Sequence, residues 1–270
     1  MTGLRLRLGL KAGAQGQVCA SVTEAVFPAV EGLLRGLPAG RAAQAVRRLH
    51  GLCRAAQGLC ADLALAAAMA TDLPASDLRA ATGAAQVEIA RETGLRLCLD
   101  WAALLGEAPQ VEAARALMQV TREGAAPDPE GLAGWIAARG AEGLPARVLA
   151  AAPAELALAF AARLETLASI PARLAYLAAG GPLPKGRRLG PGHGEASVEC
   201  ARGRLVHQVR VEHGQVVEYR IDAPSARRFA PGGDALALLA ACGDALAVDW
   251  TMQAIDPCVG WVLDPAVEAS

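Results

Sequence analysis

Cysteine is the residue type best suited to metal-binding and redox chemistry in this 270-residue chain, which contains seven cysteines. None of the seven forms a CxxC pair, so the sequence offers no support for a zinc ribbon or a thioredoxin-like motif. A free cysteine often behaves as a small buried hydrophobic residue. We interpret five cysteines in that way: Cys19, Cys60, Cys98, Cys200 and Cys242. Among these, Cys60 is notable because it lies on the same helical face as Cys53. The other two, Cys53 and Cys258, lie in short polar motifs near opposite ends of the chain.

Two segments have the patterns of small antiparallel sheets. In residues 1–25, leucines alternate with arginine, glycine and lysine from Leu4 to Lys11, a two-residue period that predicts strands. Residues 195–225 are rich in valine with polar alternation, and His213-Gly214 lies between two such runs, which predicts a hairpin turn.

The rest of the chain has helical character. Alanine, leucine, arginine and glutamate dominate residues 39–178, and these residue types favour helices. Residues 234–264 predict a C-terminal helix followed by Asp256-Pro257-Cys258. We therefore predict an α+β fold in a single domain over residues 1–270, with a predominantly helical core and small N-terminal and C-terminal antiparallel sheets.

Composition excludes several classes of partner. The formal net charge is −1, which argues against nucleic acid and against a membrane surface bound through bulk charge. The longest apolar runs, Leu63–Ala70 and Ala235–Cys242, fall far short of the roughly 20 residues that cross a bilayer. The alternating N-terminus lacks the uninterrupted apolar stretch of a secretory signal. We therefore expect a cytoplasmic protein whose cysteines are mostly reduced.

Three separated segments combine cysteine, histidine, arginine and acidic residues. Residues 48–57 read RLHGLCRAAQ, and residues 256–264 read DPCVGWVLD. Residues 199–203 read ECARG and are followed by two strand-like runs that end at Ala223-Pro224. Each segment alone is weak evidence for a known family, but together the three form an ordered set near both ends of the chain.

In this order the segments resemble the large subunit of nickel–iron hydrogenases. That family reads R-x-C-G-x-C-x-x-x-H, then E-A-P-R-G, then D-P-C-x-x-C-x-x-H. Cys53 matches the second cysteine of the first motif, and Cys258 matches the first cysteine of the last. The other two family cysteines are replaced by His50 and Trp261. The family histidines are replaced as well, by Gln57 and Asp264.

The resemblance implies a shortened hydrogenase large-subunit-like fold with a reduced metal site. Cys53 then corresponds to a bridging ligand and Cys258 to a terminal nickel ligand, but an indole at position 261 is no substitute for a thiolate. We therefore expect no nickel. Two thiolates could still hold a single iron that carries cyanide and carbonyl ligands, and soft sulfur ligands suit such an iron.

Three further residues acquire expected roles from the same resemblance. Arg202 matches the family arginine near the cyanides and could donate hydrogen bonds to them, which makes it a cofactor-binding candidate. Asp256 would orient Cys258 or Arg202. His50 would lie beside Cys53 as a ligand or a proton shuttle.

Accessory proteins of hydrogenase formation, the HupK/HoxV group, resemble large subunits that lack part of the cysteine set. The expected function is thus a non-catalytic maturation scaffold that holds or transfers the iron group, transiently bound. Its expected partners are maturation chaperones, the hydrogenase large-subunit precursor, or both. Because the sequence ends at Ser270, a few residues after Asp264, we also expect the processed tail of hydrogenase precursors to be absent.

Simpler interpretations remain open for each residue. Cys53 and Cys258 could be plain core residues, His50 a satisfied polar residue at a helix end, and Arg202 a structural arginine. The alternative function is a metal-free interaction protein that keeps the large-subunit fold and docks on hydrogenase assembly factors. The missing ligands argue against a third, a redox enzyme with a reduced site. If Cys53 and Cys258 face one cavity, the scaffold hypothesis gains support.

Overall fold

The computed structural model describes residues 5–12, 18–27, 29–140 and 143–264. These residues form seven strands and twelve helices. The strands are β1 (Arg5–Ala12), β2 (Val18–Val26), β3 (Arg187–Gly190), β4 (His193–Cys200), β5 (Gly203–Glu212), β6 (Gln215–Asp222) and β7 (Gly260–Asp264). The helices are α1 (Glu31–Leu34), α2 (Ala39–Leu49), α3 (Arg54–Met69), α4 (Ala75–Leu99), α5 (Trp101–Leu104), α6 (Val111–Val120), α7 (Pro129–Ala137), α8 (Leu144–Ala151), α9 (Ala154–Ala178), α10 (Pro224–Phe229), α11 (Asp234–Ala240) and α12 (Ala245–Ile255).

The first sheet joins the two ends of the described chain. Its strand order is β2-β1-β7, with β1 antiparallel to β2 and parallel to β7. The prediction of an antiparallel N-terminal sheet is therefore correct for β1 and β2, but it is wrong for β7, which runs parallel to β1. Parallel neighbours need a long crossover connection, and here most of the chain serves as that connection. Residues 1–4 and 13–17 of the predicted N-terminal strand region lie outside the described residues.

The second sheet is antiparallel, with the order β3-β4-β5-β6. It extends beyond the predicted region, because β3 precedes residue 195. His213 and Gly214 form the turn between β5 and β6, with φ of 50° and 77°. Positive φ at both central residues is the requirement of the tight hairpin turn that fits the twist of the strands.

Helix α3 packs directly against the second sheet. It is buried on nearly every side, as expected of a helix in the centre of a domain. Along β4, the buried positions alternate through Gly194, Ala196, Val198 and Cys200, so these four residues share the face toward α3. A side chain at position 194 would collide with the backbone of α3, which explains the glycine there.

Three hydrophobic clusters form the core. One lies between α2, α3 and the second sheet, and a second is built from α4 to α9. The third joins the first sheet to α10 and α11. Helix α12 belongs to two of them, since Trp250 packs in the second cluster and Met252 in the third. The α+β prediction with a helical core is confirmed. Among the described helices, none is both long and apolar enough to cross a membrane.

Candidate functional site

A cavity of about 160 Å³ lies where the second sheet, the start of α3 and the C-terminal segment meet. Cys53 and Cys258, which are 205 residues apart in sequence, both line it. Its lining consists of Leu49, His50, Gly51, Leu52, Cys53, Gln57, Cys200, Arg202, Leu205, Ala223, Pro224, Ser225 and Cys258. The fold thus brings the first and last motifs to the same place.

Cys53 is buried at the N-cap of α3. Its own side chain does not cap the helix. Instead, the carboxylate of Glu88 on α4 accepts hydrogen bonds from the backbone N–H groups of Ala55 at 2.7 Å and Ala56 at 3.0 Å. Burial raises the pKa of Glu88 to about 7, although these two donors oppose the rise. Glu88 therefore fixes the turn that carries Cys53, which leaves the thiol available to the cavity.

Cys258 lies on the short connection between α12 and β7. Its backbone N–H donates to the hydroxyl of Ser225 at 3.0 Å, which ties this connection to α10. The side chain is half-buried and packs against the third cluster. Sequence reasoning did not identify Ser225, although it directly follows the Ala223-Pro224 pair of the second motif.

Arg202 links the first and last motifs. Its side chain is only 2% exposed. The guanidinium lies 3.4 Å from the sulfur of Cys53 through Nη1, donates to Glu92 at 3.0 Å through Nη2, and donates to the backbone oxygen of Asp256 at 3.2 Å through Nε. A planar donor with several fixed N–H groups can satisfy all three partners at once.

Asp256 is the centre of a buried cluster of charges. It ends α12 with φ of 49°, and its carboxylate pairs with Arg96 at 2.9 Å, Arg163 at 2.5 Å and Arg202 at 3.4 Å. Burial alone would raise the pKa of Asp256, but these arginines outweigh it and hold the pKa below its usual value. Asp256 thus contacts Arg202, one of its two expected partners.

Cys200, which the sequence analysis interpreted as structural, also lines this cavity. It ends β4 on the face toward α3 and lies beside Cys53. The neighbouring Cys200 thiol, together with burial, raises the pKa of Cys53, while the Cys53 thiol lowers the pKa of Cys200. The two sulfurs therefore lie close enough for each to influence the charge of the other. The alternation through Val198 could have predicted this placement, because Cys200 shares its face.

His50 lines the cavity beside Cys53, as expected from the first motif. It ends α2, and its Nδ1 lies 2.9 Å from the backbone oxygen of Val46, which leaves Nε2 as the free ring nitrogen. Burial lowers the pKa of His50 and favours the neutral ring. The backbone oxygen of Val46 therefore satisfies Nδ1 of His50, as the interpretation of a polar residue at a helix end predicts.

Sequence reasoning also missed a chain of hydrogen bonds beside the cavity, formed by Gln57, His207 and Tyr219. Gln57, at the position of a family histidine, accepts at 2.8 Å from Nε2 of His207, and Nδ1 of His207 lies 2.8 Å from the hydroxyl of Tyr219. Because the amide oxygen only accepts, Nε2 carries the proton and the tyrosine donates to Nδ1. This chain of hydrogen bonds ties α3 to β5 and β6.

Known proteins resemble this chain in both sequence and structure. No protein-family model matches it. It is 40% identical over 104 residues to a hydrogenase expression/formation protein HupK of Rhodobacter capsulatus, a match that covers 38% of this chain and 32% of that protein. It is 38% identical over 84 residues to a HupK of Bradyrhizobium diazoefficiens, covering 28% of this chain and 23% of that protein. The matches thus span a third or less of these relatives.

The structural similarity extends over nearly the whole chain. An NAD+-reducing [NiFe]-hydrogenase superposes with a TM-score of 0.62 at 14% identity, over 92% of this chain and 94% of the other. The Ni-Fe-Se hydrogenase of Desulfovibrio vulgaris Hildenborough gives 0.64 at 14% identity, over 91% and 94%. The fold resembles that of nickel–iron hydrogenase large subunits.

The donors at the hydrogenase-like positions differ from a hydrogenase in number and kind. Two of the four family cysteines are present, and the positions of the others hold His50 and Trp261. Trp261 lies on β7 and packs against the third cluster. Within the described ranges, no three side chains of His, Cys, Asp or Glu lie close enough to hold a metal ion as they stand. The set of soft sulfur donors at these positions is therefore smaller than that of the resembled family.

Proposed function

We propose that this protein acts in hydrogenase formation as a non-catalytic scaffold that holds an iron–cyanide–carbonyl group and passes it on. The iron group is cargo and not a resident cofactor. The partners would be maturation chaperones or a hydrogenase large-subunit precursor, in the cytoplasm. The names of the HupK relatives support the general role, and the cavity supports the specific one.

The observation that carries the proposal is the meeting of Cys53 and Cys258 in one cavity with Arg202. Iron bound to cyanide and carbonyl is a soft acceptor, and thiolates are its suitable protein ligands. A cavity of about 160 Å³ has the volume of several water molecules, so diatomic ligands have room beside the sulfurs. A partly protein-ligated iron also remains transferable, which is what a carrier requires.

Arg202 supplies the polar contact for the cargo. A buried guanidinium can donate charge-assisted hydrogen bonds to a cyanide nitrogen, and such bonds are stronger than neutral ones. Glu92 and Asp256 hold Arg202 in place through Nη2 and Nε, while Nη1 lies beside the sulfur of Cys53. The cyanides would thus bind to a donor whose orientation is already fixed.

Infrared spectroscopy on variants tests this assignment. The protein is expressed with the maturation machinery and purified without oxygen as wild type, Cys53→Ala, Cys258→Ala and Arg202→Lys. Cys19→Ala on β2 is the matched control for a cysteine outside the cavity. We expect cyanide and carbonyl stretching bands in wild type and in Cys19→Ala, their loss in both cavity-cysteine variants, and shifted cyanide bands in Arg202→Lys.

The possible outcomes separate the hypotheses. Bands that persist in both Cys53→Ala and Cys258→Ala would place the iron elsewhere and refute the residue assignment. A wild-type protein without bands would favour the metal-free interaction protein, which keeps the fold and docks on assembly factors.

A further inference from the structure

A second cavity, of about 200 Å³, shares Arg202 and Cys200 with the cavity that contains the other cysteines. It lies between α9, the turn that joins β4 to β5, and the end of α12. Among the residues that the structure describes, its lining includes three arginines, Arg163, Arg202 and Arg228, and one acid, Glu199. The proposed function leaves this arginine-lined cavity without a role.

We propose that this second cavity binds a small oxyanion, a carboxylate or a phosphate, between the guanidinium groups of Arg163, Arg202 and Arg228. Planar guanidinium groups hold the oxygens of carboxylates and phosphates through pairs of parallel N–H donors. A water molecule needs roughly 10–15 Å³ of such volume, so the cavity has room for an ion of several heavy atoms. The site does not depend on an iron cargo, and it applies equally to a metal-free interaction protein.

Arg163 carries a donor that the fold leaves without an acceptor. This residue lies on α9, and its side chain is 12% exposed. Its Nη2 donates to Asp256 at 2.5 Å and its Nη1 to the backbone oxygen of Gln253 at 2.9 Å. Its Nε is buried and has no hydrogen-bond partner among the described residues. Buried donors without acceptors are rare in folded proteins and call for an ion or a water molecule, and an oxyanion in the cavity would supply the acceptor.

Arg228 adds a positive charge that its own acid offsets only weakly. It lies on α10 and pairs at 2.9 Å with Asp234, whose side chain is 60% exposed. Water screens such an exposed partner, so the pair contributes little. Through Nη1, Arg228 reaches the backbone oxygen of Ile255 only at 3.5 Å, which is too long for a strong hydrogen bond. Its guanidinium therefore retains donor capacity for an ion in the cavity.

The acids that balance the two inner arginines do not line the cavity. Asp256 pairs with both Arg163 and Arg202, and Glu92 pairs with Arg202. Both carboxylates lie outside the lining, whereas the two arginines form part of it. An ion in the cavity therefore meets the arginines at shorter range than their acids, and electrostatic attraction falls with distance.

Isothermal titration calorimetry of the full chain with inorganic phosphate and, separately, with acetate tests the proposal at constant ionic strength. In wild type we expect saturable binding of one ion per chain for at least one of the two. Arg228→Gln should weaken this binding about tenfold, because it removes a positive charge and charge-assisted donors. Arg227→Gln is the matched control, since Arg227 is the neighbouring residue on α10 and pairs with Asp222 at 2.7 Å but does not line the cavity.

Glu199→Gln gives a test of opposite sign. It removes the acid of the lining, which is paired with Arg173, so the ion should bind several-fold more tightly than in wild type. Circular dichroism checks the fold of each variant. Binding of acetate alone would identify a carboxylate ligand, and binding of phosphate alone a phosphate ligand. No saturable binding of either ion in wild type, or equal weakening by Arg228→Gln and Arg227→Gln, would overturn the site, and so would weaker binding in Glu199→Gln.

Discussion

At the scale of single residues, Asp256 determines the charge balance around the cavity. Three arginines from different parts of the chain converge on this one carboxylate, and two of them have a second acid, Asp100 for Arg96 and Glu92 for Arg202. An arginine buried without its acid would be costly, since charges lose hydration inside a protein. Asp256 therefore holds Arg202 in the position that the proposed cargo needs.

Replacing Asp256 by Asn should lower the free energy of unfolding by about 3–5 kcal/mol, because it leaves the buried Arg163 without an acid and removes one of two acids from Arg96 and Arg202. Asp100→Asn, which removes a more exposed partner of Arg96, should cost less than about 1 kcal/mol. Urea unfolding near neutral pH measures both. Since the folded pKa of Asp256 lies below its unfolded value of about 3.9, this stabilisation is present above that pH and is lost on further acidification. Equal stabilities of the two variants would contradict this account of the cluster.

His207 should make stability depend on pH in the mildly acidic range. Burial, with a smaller effect of His50, lowers the pKa of His207 to about 3, far below the unfolded value of about 6.5. Between these values the unfolded chain binds a proton that the folded chain does not. The contribution of His207 to stability therefore falls as pH drops from about 6.5, by up to about 1.4 kcal/mol per pH unit.

Comparison of wild type with His207→Gln isolates this effect. Glu88, whose pKa burial raises to about 7, titrates in the opposite sense, so wild type alone can show a flat profile. Urea unfolding at several pH values should give His207→Gln a lower stability at neutral pH and a smaller loss on acidification than wild type. Parallel pH profiles for the two proteins would refute the buried neutral histidine.

At the scale of elements, the contact between α3 and β4 positions Cys53 relative to Cys200. Gly194 permits this contact, because a Cβ there would meet the backbone of Ala64 and Ala68. Gly194→Ala should lower the free energy of unfolding by about 1–3 kcal/mol through overpacking. Gly190→Ala is the matched control in the same sheet, since its Cβ would meet open space, and should stay within about 0.5 kcal/mol of wild type. Thermal unfolding of the two variants checks the difference, and equal destabilisation would contradict this account of the packing.

The helices and strands also show how much of the fold could be predicted from the sequence. Local signals predicted the hairpin at His213-Gly214 and the helices, because turn chemistry and helix propensity act over a few residues. The parallel pairing of β1 with β7 is set by packing between distant segments, and the short run Gly260–Asp264 carries no strand pattern of its own. For the same reason, motifs pointed to Cys53, Arg202 and Cys258, whereas the position of Cys200 on the cavity wall depends on which element its strand faces.

At the scale of the whole molecule, the first sheet anchors the end of the last motif to the N-terminal strands. Strand β7 pairs with β1 from Arg5↔Gly260 to Gly9↔Asp264, and Arg7 donates to Asp264 at 3.2 Å through Nε. The connection that carries Cys258 is anchored on one side by this pairing and on the other by the buried Asp256. The cavity is therefore a product of long-range contacts, because Cys258 lines it from a connection that these two contacts hold in place.

The protein should show no hydrogenase activity. With His50 and Trp261 at two of the four family cysteine positions, nickel should not be held as it is in the enzyme. Hydrogen uptake by the anaerobically purified protein, assayed with added nickel beside an active hydrogenase as positive control, should stay at background. Nickel-dependent uptake that follows the purified protein would contradict this expectation.

The central claim is that the cavity carries an iron with cyanide and carbonyl ligands. The most direct measurement is an infrared spectrum of the wild-type protein, purified without oxygen from the host that makes it, together with its iron content. We predict absorption in both the cyanide and the carbonyl stretching regions, with intensity proportional to the iron bound. A folded, reduced protein that contains neither band would contradict the claim.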